Sequence, residues 1–489
     1  MIQPIFERLN TNIAISSERP VPVLTNLFEK VVVLTESFMK ALPSDLPPFS
    51  ATVTFSDPAC IFFCASSSSE ARGITFSHAA LSTALLGQGP AAKIGPESRV
   101  MQLSSFNVDI CITEIFTTLV HGGCVCIPSN AERLQDFGAA VNRLKVNWSY
   151  MTPHLSRKII PAQTPSLKVV CFRTRNLDED TYLIWHGRVS VILAYGPLEG
   201  CPLGIAFLEA LVPQHLKCIG RPFAGDFILV NPDDQKKNVP VGAVGELILK
   251  GPTLGVAYPN RESTLSPMSP VGTSMGMAAI RYFRPRHLAR YIEGGLMEFI
   301  LKDREDAEGS NKYFNVSTTE VEQHVRRCLR QMALDVSVEL ILFRTPIRTD
   351  PELVAFVELG DGIGPEETLG ALSLATREQL AIIKQKVYAE LKNIFPRNLI
   401  PAIFVPVRHL PVTTSLKINH RRLQRMISGM SREDLLNLSS VIRTDARFQY
   451  LKPLPLTASE ERMRNLWAQV LGLEAASISA TDRFFAIGG

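Results

Sequence analysis

The chain has 489 residues, which is too long for one ordinary domain, so two or three compact domains are expected. Hydrophobic residues make up 46% and charged residues 20%, a composition that excludes an intrinsically disordered chain. Fifty-one Lys and Arg against forty-seven Asp and Glu give a net charge of +4, spread along the chain without a basic tract, so nucleic acid is not an expected partner.

The nine cysteines include no C-x-x-C pair, which argues against a disulfide framework or a zinc site and predicts reduced thiols. Cys124 and Cys126 alternate in the strand-like run GGCVCIPS and are predicted to be core or near-core residues. The opening MIQPIFERLNTN lacks a charged stretch followed by an apolar core, and no apolar run reaches the roughly eighteen residues of a membrane span. We therefore expect a cytoplasmic protein without a membrane anchor.

Apolar runs of strand length alternate with amphipathic segments in the first three hundred or so residues. The strand-like runs are ACIFF, KVVCF, VSVILAY and GELIL, and AERLQDFGAAVNRLK is predicted to be a helix. This alternation predicts an α/β fold of helix-covered sheets. The stretch from Arg261 to Ala279 is rich in Ser, Pro, Gly and Met and is predicted to be an irregular surface excursion.

The pattern changes from Thr318 onward. A helix is predicted over TTEVEQHVRRCLRQM, a strand over VELILF and a second helix over REQLAIIKQKVYAELKNIF, which together indicate a smaller α+β unit. Residues Thr444 to Pro455 resemble a linker. A last helix is predicted in TASEERMRNLWAQVLGL, with Thr457 as its N-cap and acidic residues in its first turn.

A strand-like run followed by small polar residues occurs in FSDPACIFFCASSSSEARGITFSH. It resembles the phosphate loop of adenylate-forming enzymes, T-S-G-S-T-G-x-P-K-G, whose backbone amides and hydroxyls hold the phosphates of ATP. The resemblance implies nucleotide contacts from Ser66, Ser67, Ser68 and Arg72. Both loop glycines are missing, so the backbone reaches positive φ less easily. Taken alone, the segment is more typical of a polar strand-to-helix turn that binds no ligand, and it is the motifs downstream that favour a phosphate loop.

The segment VDICITEIFTTLVHGGCVCIPS resembles the adenylation domains of nonribosomal peptide synthetases, especially fungal ones, nearly position by position. In that family its Asp binds the α-ammonium of the substrate, and the matching residue is Asp109. The resemblance also implies that Ile110 and Thr113 contribute to the substrate pocket. The alternative is a surface carboxylate, but an Asp between Val108 and Ile110 is unfavourable inside a protein without a cationic partner.

The run AYGPLEG resembles the family element Y-G-P-T-E, in which Tyr stacks near adenine, Thr touches a phosphate and Glu helps to hold magnesium. Tyr195 and Glu199 are thereby implied as nucleotide-binding residues, with Glu199 as the magnesium ligand. Leu198 takes the Thr position and cannot donate a hydrogen bond to a phosphate. Upstream, Arg173 and Arg175 replace residues of the family's G-G-E, which puts bulky cations where backbone normally approaches adenine or substrate.

The run YFRPRH stands where the family has Y-R-T-G-D, whose Asp accepts both ribose hydroxyls. His287 occupies the Asp position. A neutral His offers one acceptor and a protonated His offers none, so the implied ribose contact is weakened.

Two C-terminal motifs complete the resemblance. GGLMEFILKDREDAE resembles the family's G-x-L-E-F-x-G-R-x-D, which places Asp306 at the hinge between the large and small subdomains. HLPVTTSLKINHRRL resembles L-P-x-T-x-x-G-K-x-D-R, and Lys417 falls on the catalytic lysine that bridges the substrate carboxylate and the α-phosphate. The alternative for Lys417 is an ordinary solvated surface charge.

The final segment LWAQVLGLEAASISATDRFFAIGG resembles the start of a carrier domain, whose signature continues to a Ser that carries phosphopantetheine; that serine is absent from this chain. The resemblance divides the chain into a large adenylation subdomain, incomplete at its N-terminus (1–305), a small α+β C-terminal subdomain (306–430), a linker (431–455) and a partial, helical peptidyl-carrier domain (456–489).

The resemblance implies ATP- and Mg²⁺-dependent activation of an amino acid as aminoacyl-AMP, for transfer to a carrier thiol in secondary-metabolite biosynthesis, with carrier and condensation domains as partners. The missing loop glycines, Leu198 and His287 predict impaired activity, because each lost charge-assisted contact is worth about 1.5–3 kcal/mol. The alternative is a noncatalytic remnant or a structural segment of a larger synthetase. An acyl-coenzyme-A ligase is a third possibility, disfavoured by Asp109 and by the carrier-like tail.

Overall fold

The structure is a computed structural model. The residues it describes are 5, 11–17, 22–43, 52–65, 71–173, 177–234, 236–258, 282–300, 318–332, 334–344, 349–360, 372–413, 417–438, 457–471 and 475.

The described residues form twenty strands. In chain order they are β1 (Ile13–Ser17), β2 (Lys30–Leu34), β3 (Pro58–Ala65), β4 (Ala71–Ser77), β5 (Arg99–Met101), β6 (Cys124–Cys126), β7 (Trp148–Tyr150), β8 (Val169–Phe172), β9 (Ser190–Tyr195), β10 (Ala206–Glu209), β11 (Arg221–Pro222), β12 (Asp226–Val230), β13 (Val244–Lys250), β14 (Val256–Tyr258), β15 (Tyr282–Phe283), β16 (Leu288–Tyr291), β17 (Met297–Ile300), β18 (Asp335–Arg344), β19 (Thr349–Glu358) and β20 (Ile403–Val407).

The α-helices of the same residues are α1 (Pro22–Leu27), α2 (Glu36–Lys40), α3 (His78–Ala91), α4 (Ile110–Ile112), α5 (Thr118–Val120), α6 (Asn130–Gln135), α7 (Phe137–Arg143), α8 (Pro153–Arg157), α9 (Glu179–Trp185), α10 (Thr318–Leu329), α11 (Leu374–Leu391), α12 (His420–Met426), α13 (Arg432–Asn437) and α14 (Ala458–Leu471). A π-helical turn, Thr113–Thr117, joins α4 to α5, and Arg330–Met332 extends α10 as a 3₁₀ turn. None of the helices in the described part of the chain is long and apolar enough to cross a membrane.

A seven-stranded sheet forms the centre of the larger part of the molecule, in the order β11-β10-β9-β8-β7-β5-β6. Its strands from β6 to β9 pair in parallel, whereas β10 pairs antiparallel with β9 and the edge strand β11 pairs antiparallel with β10. All four residues of Val169–Phe172 are buried, as expected for a parallel strand that is covered on both faces. The carboxyl end of the neighbouring strand, β9, leads directly into the candidate site.

Two further sheets pack around this centre. The strands β12, β13, β16 and β17 are antiparallel neighbours, with β15 paired to β13, and β14-β4-β3 form a three-stranded antiparallel sheet. A separate two-stranded parallel ribbon pairs β1 with β2.

The last described sheet is β18-β19-β20, covered by α10 and α11. A continuous apolar core runs from Val321 to Leu438 and includes residues of both helices and all three strands. The helix α14 lies after it, and its apolar residues Met463, Leu466 and Val470 are more than half exposed.

The predicted α/β class and the smaller C-terminal α+β unit are confirmed. The domain boundaries stay predictions, and the segments 261–279 and 444–455 lie outside the described residues.

The predicted helix AERLQDFGAAVNRLK is two helices, because Asp136 leaves helical geometry (φ −145°, ψ 68°) and caps the second helix through Ala139 N. Cys126 is buried as expected, but the prediction is wrong for Cys124, which is exposed at the sheet edge.

Candidate functional site

A cavity of about 340 Å³ opens beyond the carboxyl end of β9. Strand ends are a common place for ligands in parallel sheets, because the loops that follow the strands can present side chains and backbone groups together. The cavity is lined by Arg173, Ala194, Tyr195, Gly196, Pro197, Leu198, His287 and Lys417. The structure therefore brings together three predicted site residues, Tyr195, His287 and Lys417.

Tyr195 and His287 form a buried polar pair on one wall of the cavity. The Tyr195 hydroxyl and His287 Nδ1 are 2.7 Å apart, and the two side chains belong to residues that are 7% and 6% exposed. Phe299 packs edge-on against the imidazole, with 5.3 Å between ring centroids. The hydrogen bond engages Nδ1, the ring nitrogen of His287 nearer its backbone, and fixes the plane of the ring against the cavity.

The loop that carries His287 is braced by a charge pair. Arg284 donates to both carboxylate oxygens of Glu246, through Nε at 2.6 Å and through Nη2. Glu246 is 5% exposed, and its bidentate contact raises the pKa of Arg284. A bidentate pair restricts rotation as well as distance. The pair thereby holds the segment from β15 to β16 in place beside Tyr195.

Lys417 reaches the cavity from the C-terminal part of the chain. Its carbonyl accepts from Thr413 N at 2.7 Å and from the Thr413 hydroxyl at 3.2 Å. Val412 and Ile418 form a β-bridge that closes the same loop. The backbone is thus anchored on both sides, while the exposed side chain can place its ammonium group at the cavity wall.

Ion pairs hold the C-terminal part against the larger part. Asp335 accepts from His154 at 2.8 Å, from Arg157 at 3.2 Å and from Arg326 at 3.0 Å. Burial alone raises the pKa of Asp335, but the His154 hydrogen bond and the two guanidinium charges outweigh burial and hold that pKa well below its usual value. Lys158 adds a contact at 2.7 Å to Glu358. These contacts set the position from which Lys417 approaches the cavity.

Asp109, the predicted partner of a substrate ammonium, is engaged by the protein itself. It is 5% exposed, and its Oδ2 accepts from Arg173 Nη1 and from Leu203 N at 3.1 Å. Arg173 lines the cavity and pairs with Asp109, which is not itself a lining residue. The cationic partner that the sequence requires for this carboxylate is therefore present within the chain.

The other predicted pocket residues lie behind the cavity. Ile110 is 1% exposed and packs in an apolar cluster with Trp148 and Tyr150. Thr113 is fully buried and donates to the side-chain oxygen of Gln88 at 2.9 Å. Neither residue lines the cavity in this structure, and their roles in substrate binding stay predictions.

The predicted phosphate loop connects two strands. Cys64 in β3 pairs with Arg72 in β4 in an antiparallel hairpin, so the segment between them is a strand-to-strand connection rather than a strand-to-helix turn. Ser66, Ser67 and Ser68 lie outside the described residues, as does the side chain of Arg72. Asp306, the predicted hinge residue, also lies outside them.

Glu199 is half-buried, and its carbonyl accepts from Gly255 N at 2.8 Å. The described residues contain no group of three or more His, Cys, Asp or Glu side chains that could hold a metal ion alone. Magnesium bound with a nucleotide takes most of its ligands from phosphates and water, together with one or two carboxylates. That mode of binding needs only a single protein carboxylate, but Glu199 is not among the residues that line the cavity, and its role as the magnesium ligand stays a prediction.

Sequence reasoning missed two features of the site. The pairing of Asp109 with Arg173 joins residues 64 positions apart, although an Asp in an apolar run and an Arg after a buried strand were both visible as unusual. The Asp335 cluster joins residues about 180 positions apart and has no local signal, because each of its members is an ordinary charged residue in the sequence.

The family of AMP-binding enzymes matches residues 8–258. Among curated proteins, nonribosomal peptide synthetase TES of Alternaria alternata is 29% identical over 99% of the chain, which corresponds to 9% of that protein. Nonribosomal peptide synthetase atnA of Emericella nidulans is 30% identical over 88% of the chain and 6% of its own length. Nonribosomal peptide synthetase AMT10 of Alternaria alternata is 29% identical over 100% of the chain and 55% of its own length. The chain thus spans less than two thirds of each of these relatives.

Two solved structures show the same fold. The McyG A-PCP protein complexed with phenylalanyl-adenylate superposes with a TM-score of 0.68 at 15% identity, over 100% of this chain and 76% of that one. The O-succinylbenzoate coenzyme A synthetase MenE from Bacillus subtilis, in complex with AMP, gives a TM-score of 0.61 at 14% identity, over 86% of this chain and 79% of that one.

Proposed function

The chain belongs to the AMP-binding enzyme family, and from this we propose that it is the adenylation module of a nonribosomal peptide synthetase, which activates a carboxylic acid with ATP. One observation carries the proposal: Lys417, from the C-terminal part, meets Tyr195 and His287 of the larger part around a single cavity. Lys417 is far from Tyr195 and His287 in the sequence. The ion pairs of Asp335 with His154 and Arg157 join the two parts of the chain that carry these residues, as a site assembled from both parts requires.

The proposed reaction forms one bond and breaks one bond. A carboxylate oxygen of the substrate attacks the α-phosphorus of ATP, the bond from that phosphorus to the bridging oxygen breaks, and pyrophosphate leaves with its electron pair. The products are acyl-AMP and pyrophosphate, and no proton needs to be transferred to the protein. Glu199 would supply the protein carboxylate for a magnesium ion, which would neutralise phosphate charge.

The protein contributes position and charge to this reaction. The ammonium group of Lys417 stabilises the negative charge that is shared between the attacking carboxylate and the α-phosphate. Tyr195 and His287, fixed to each other, form the wall against which the nucleoside would lie. The acyl group would then pass to a carrier thiol, as the predicted linker and the carrier-like helix Ala458–Leu471 favour.

The substitution Lys417→Ala tests the proposal. Adenylate formation, measured as hydroxylamine-trapped product with a panel of carboxylic acids, is expected to fall about a hundredfold or more, because a charge that acts mainly in the transition state is lost. AMP affinity, measured by calorimetry, is expected to change much less. Lys237→Ala is the matched control, since Lys237 is 74% exposed and pairs only with nearby Asp234 among the described residues.

A noncatalytic segment of a larger synthetase is the second candidate. Leu198 favours it, because an aliphatic side chain lines the cavity where the resemblance implies a phosphate-binding hydroxyl. Folded wild-type protein that binds neither AMP nor an acyl-AMP mimic would establish this candidate and contradict the proposed activity.

A further inference from the structure

If the site forms acyl-AMP as proposed, the charges around Asp109 also restrict the class of acid that it accepts. The carboxylate of Asp109 is almost fully buried and accepts two hydrogen bonds, one from the guanidinium group of Arg173 and one from Leu203 N. The side chains of Arg173 and Asp109 are 19% and 6% exposed, so the pair is largely shielded from water. A charge pair in such surroundings is far less screened than a surface pair.

A substrate ammonium would have to compete with Arg173 for this carboxylate. Displacing Arg173 would leave its guanidinium group without the buried counter-charge, and breaking a buried ion pair is strongly unfavourable. An ammonium that did not displace it would lie beside a fixed positive charge and be repelled. Either way, the arrangement penalises a positive charge on the α-carbon of the substrate.

The same arrangement favours an anion without a positive group. Arg173 and Lys417 both line the cavity, so two cationic side chains face the space that an acid would enter. Arg173 keeps its positive charge in the pair with Asp109, because a guanidinium group stays protonated, and it presents that charge to the cavity that it lines. A carboxylate with a neutral α-substituent meets favourable charge here and no repulsion.

We propose that Arg173 acts as a built-in substitute for the substrate ammonium, and that the site activates carboxylic acids that carry no α-ammonium group, such as acyl, aryl, 2-hydroxy or 2-oxo acids. Arg173 is thus a specificity-determining residue. This inference changes the substrate class expected from the sequence while it leaves the adenylation chemistry as proposed.

Matched acyl-adenylate mimics test the proposal directly. Acetyl- and glycyl-sulfamoyladenosine differ only in the ammonium group on the α-carbon, and 3-phenylpropanoyl- and phenylalanyl-sulfamoyladenosine repeat the comparison with a larger side chain. Calorimetry on the full chain is expected to show that the ammonium-free member binds at least tenfold more tightly in at least one pair, with no pair in the reverse order.

Substitution of Arg173 should remove this preference. Arg173→Ala is expected to strengthen binding of the two amino compounds at least tenfold, because Asp109 becomes available to an ammonium. Since this variant leaves a buried carboxylate without its cation and can fail to fold, the double variant Asp109→Asn/Arg173→Met supplies a neutral pair of similar volume. It should bind both members of each pair with similar affinity. Arg290→Ala, at an exposed pair with Glu298, is the control and should keep the wild-type order.

The outcomes separate the two proposals. If wild-type protein binds the amino member of either pair more tightly than its ammonium-free partner, if neither pair shows a tenfold preference, or if both Arg173 variants keep the wild-type preference, the inference about Arg173 is overturned while the proposed function stands. If folded wild-type protein binds neither AMP nor any of the four mimics, the proposed function fails, and the inference fails with it because there is no acyl site to restrict.

Discussion

At the scale of single residues, the segment that carries Asp109 is fixed by a buried carboxyl group, Glu114. This side chain is fully buried and accepts from Ser104 N at 3.2 and 3.0 Å, from the Ser104 hydroxyl at 2.8 Å and from Gln102 Nε2 at 3.5 Å. Burial raises the pKa of Glu114 to about 8, although the hydrogen bonds from Ser104 act in the opposite direction. Glu114 thus ties the π-helical turn to the end of β5 and supports the backbone on which Asp109 lies.

The raised pKa of Glu114 predicts a pH-dependent stability. Between its ordinary pKa of 4.5 and about 8, the folded protein holds a proton on Glu114 that the unfolded chain has released, so the free energy of unfolding falls as the pH rises. Glu114→Gln removes this dependence. In urea titrations at pH 5, 6, 7 and 8, the free energy of unfolding of the variant minus that of the wild type should rise by up to about 1.4 kcal/mol per pH unit.

Glu97→Gln, at an exposed glutamate, is the control and should leave the slope of stability against pH unchanged. If the free energy of unfolding of Glu114→Gln has the same slope against pH as that of the wild type, Glu114 is ionised in the folded protein and the prediction is wrong.

At the scale of elements, the cluster around Asp335 joins α8 to the start of β18 and to α10. His154 and Arg157 come from α8, Arg326 comes from α10, and all of these side chains are at most 14% exposed. Burial lowers the pKa of Arg157, and the nearby charge of Arg326 adds to that shift, so this guanidinium group depends on Asp335 and Asp178 for its stability. The cluster is one of the described contacts that join the C-terminal part, which carries Lys417, to the larger part.

Asp335→Asn is expected to destabilise the protein by about 3–5 kcal/mol at pH 7, because it leaves buried cations without their counter-charge. Urea unfolding should show the loss of stability. Adenylate formation should also be slower, because the part of the chain that carries Lys417 is held less firmly against the cavity. Because the pKa of Asp335 lies below its usual 3.8, its contribution is present above that pH and disappears only as the pH falls through the lower native value.

Asp226→Asn serves as the matched control for this prediction. Asp226 is 70% exposed and lies 3.8 Å from Lys250, so its removal should cost less than about 1 kcal/mol. Equal losses in the two variants would contradict a special role for the Asp335 cluster.

At the scale of the whole molecule, the apolar core between Val321 and Leu438 is continuous and contains residues from the three-stranded sheet and its helices. The short helix Arg432–Asn437 belongs to this core, because Leu435 is fully buried and Leu438 is 3% exposed. The predicted end of the small subdomain at residue 430 would omit this helix. The core therefore indicates that an independently stable unit extends beyond residue 430, as far as Leu438.

We predict that a fragment of residues 318–438 folds on its own and that a fragment of residues 318–430 is markedly less stable. Loss of two buried leucines is worth roughly 4–10 kcal/mol in total, which is comparable to the whole stability of a small domain. Thermal unfolding followed by circular dichroism measures the difference. Equal melting temperatures for the two fragments would place the boundary at residue 430.

The sequence by itself determined the features that depend on neighbouring residues. The strand Val169–Phe172 and the helix Ala458–Leu471 lie where their apolar patterns predict them. Thr457 caps that helix through Glu460 N at 3.2 Å, and Glu460 accepts from Thr457 N in return. Such features follow from local periodicity and from hydrogen bonds within one turn, so a single stretch of sequence contains all the information they need.

The tertiary structure alone decided which charges meet. The sequence indicated that Asp109 needs a cationic partner, but only the folded chain brings Arg173 to it, and only the folded chain brings Lys417 to the same cavity. The sequence around a charged residue does not identify its partner. Which residues form an ion pair depends on the desolvation and geometry of the folded core rather than on sequence spacing. The family could therefore be identified from its motifs, whereas the substrate class that we propose rests on a pairing between residues far apart in the chain.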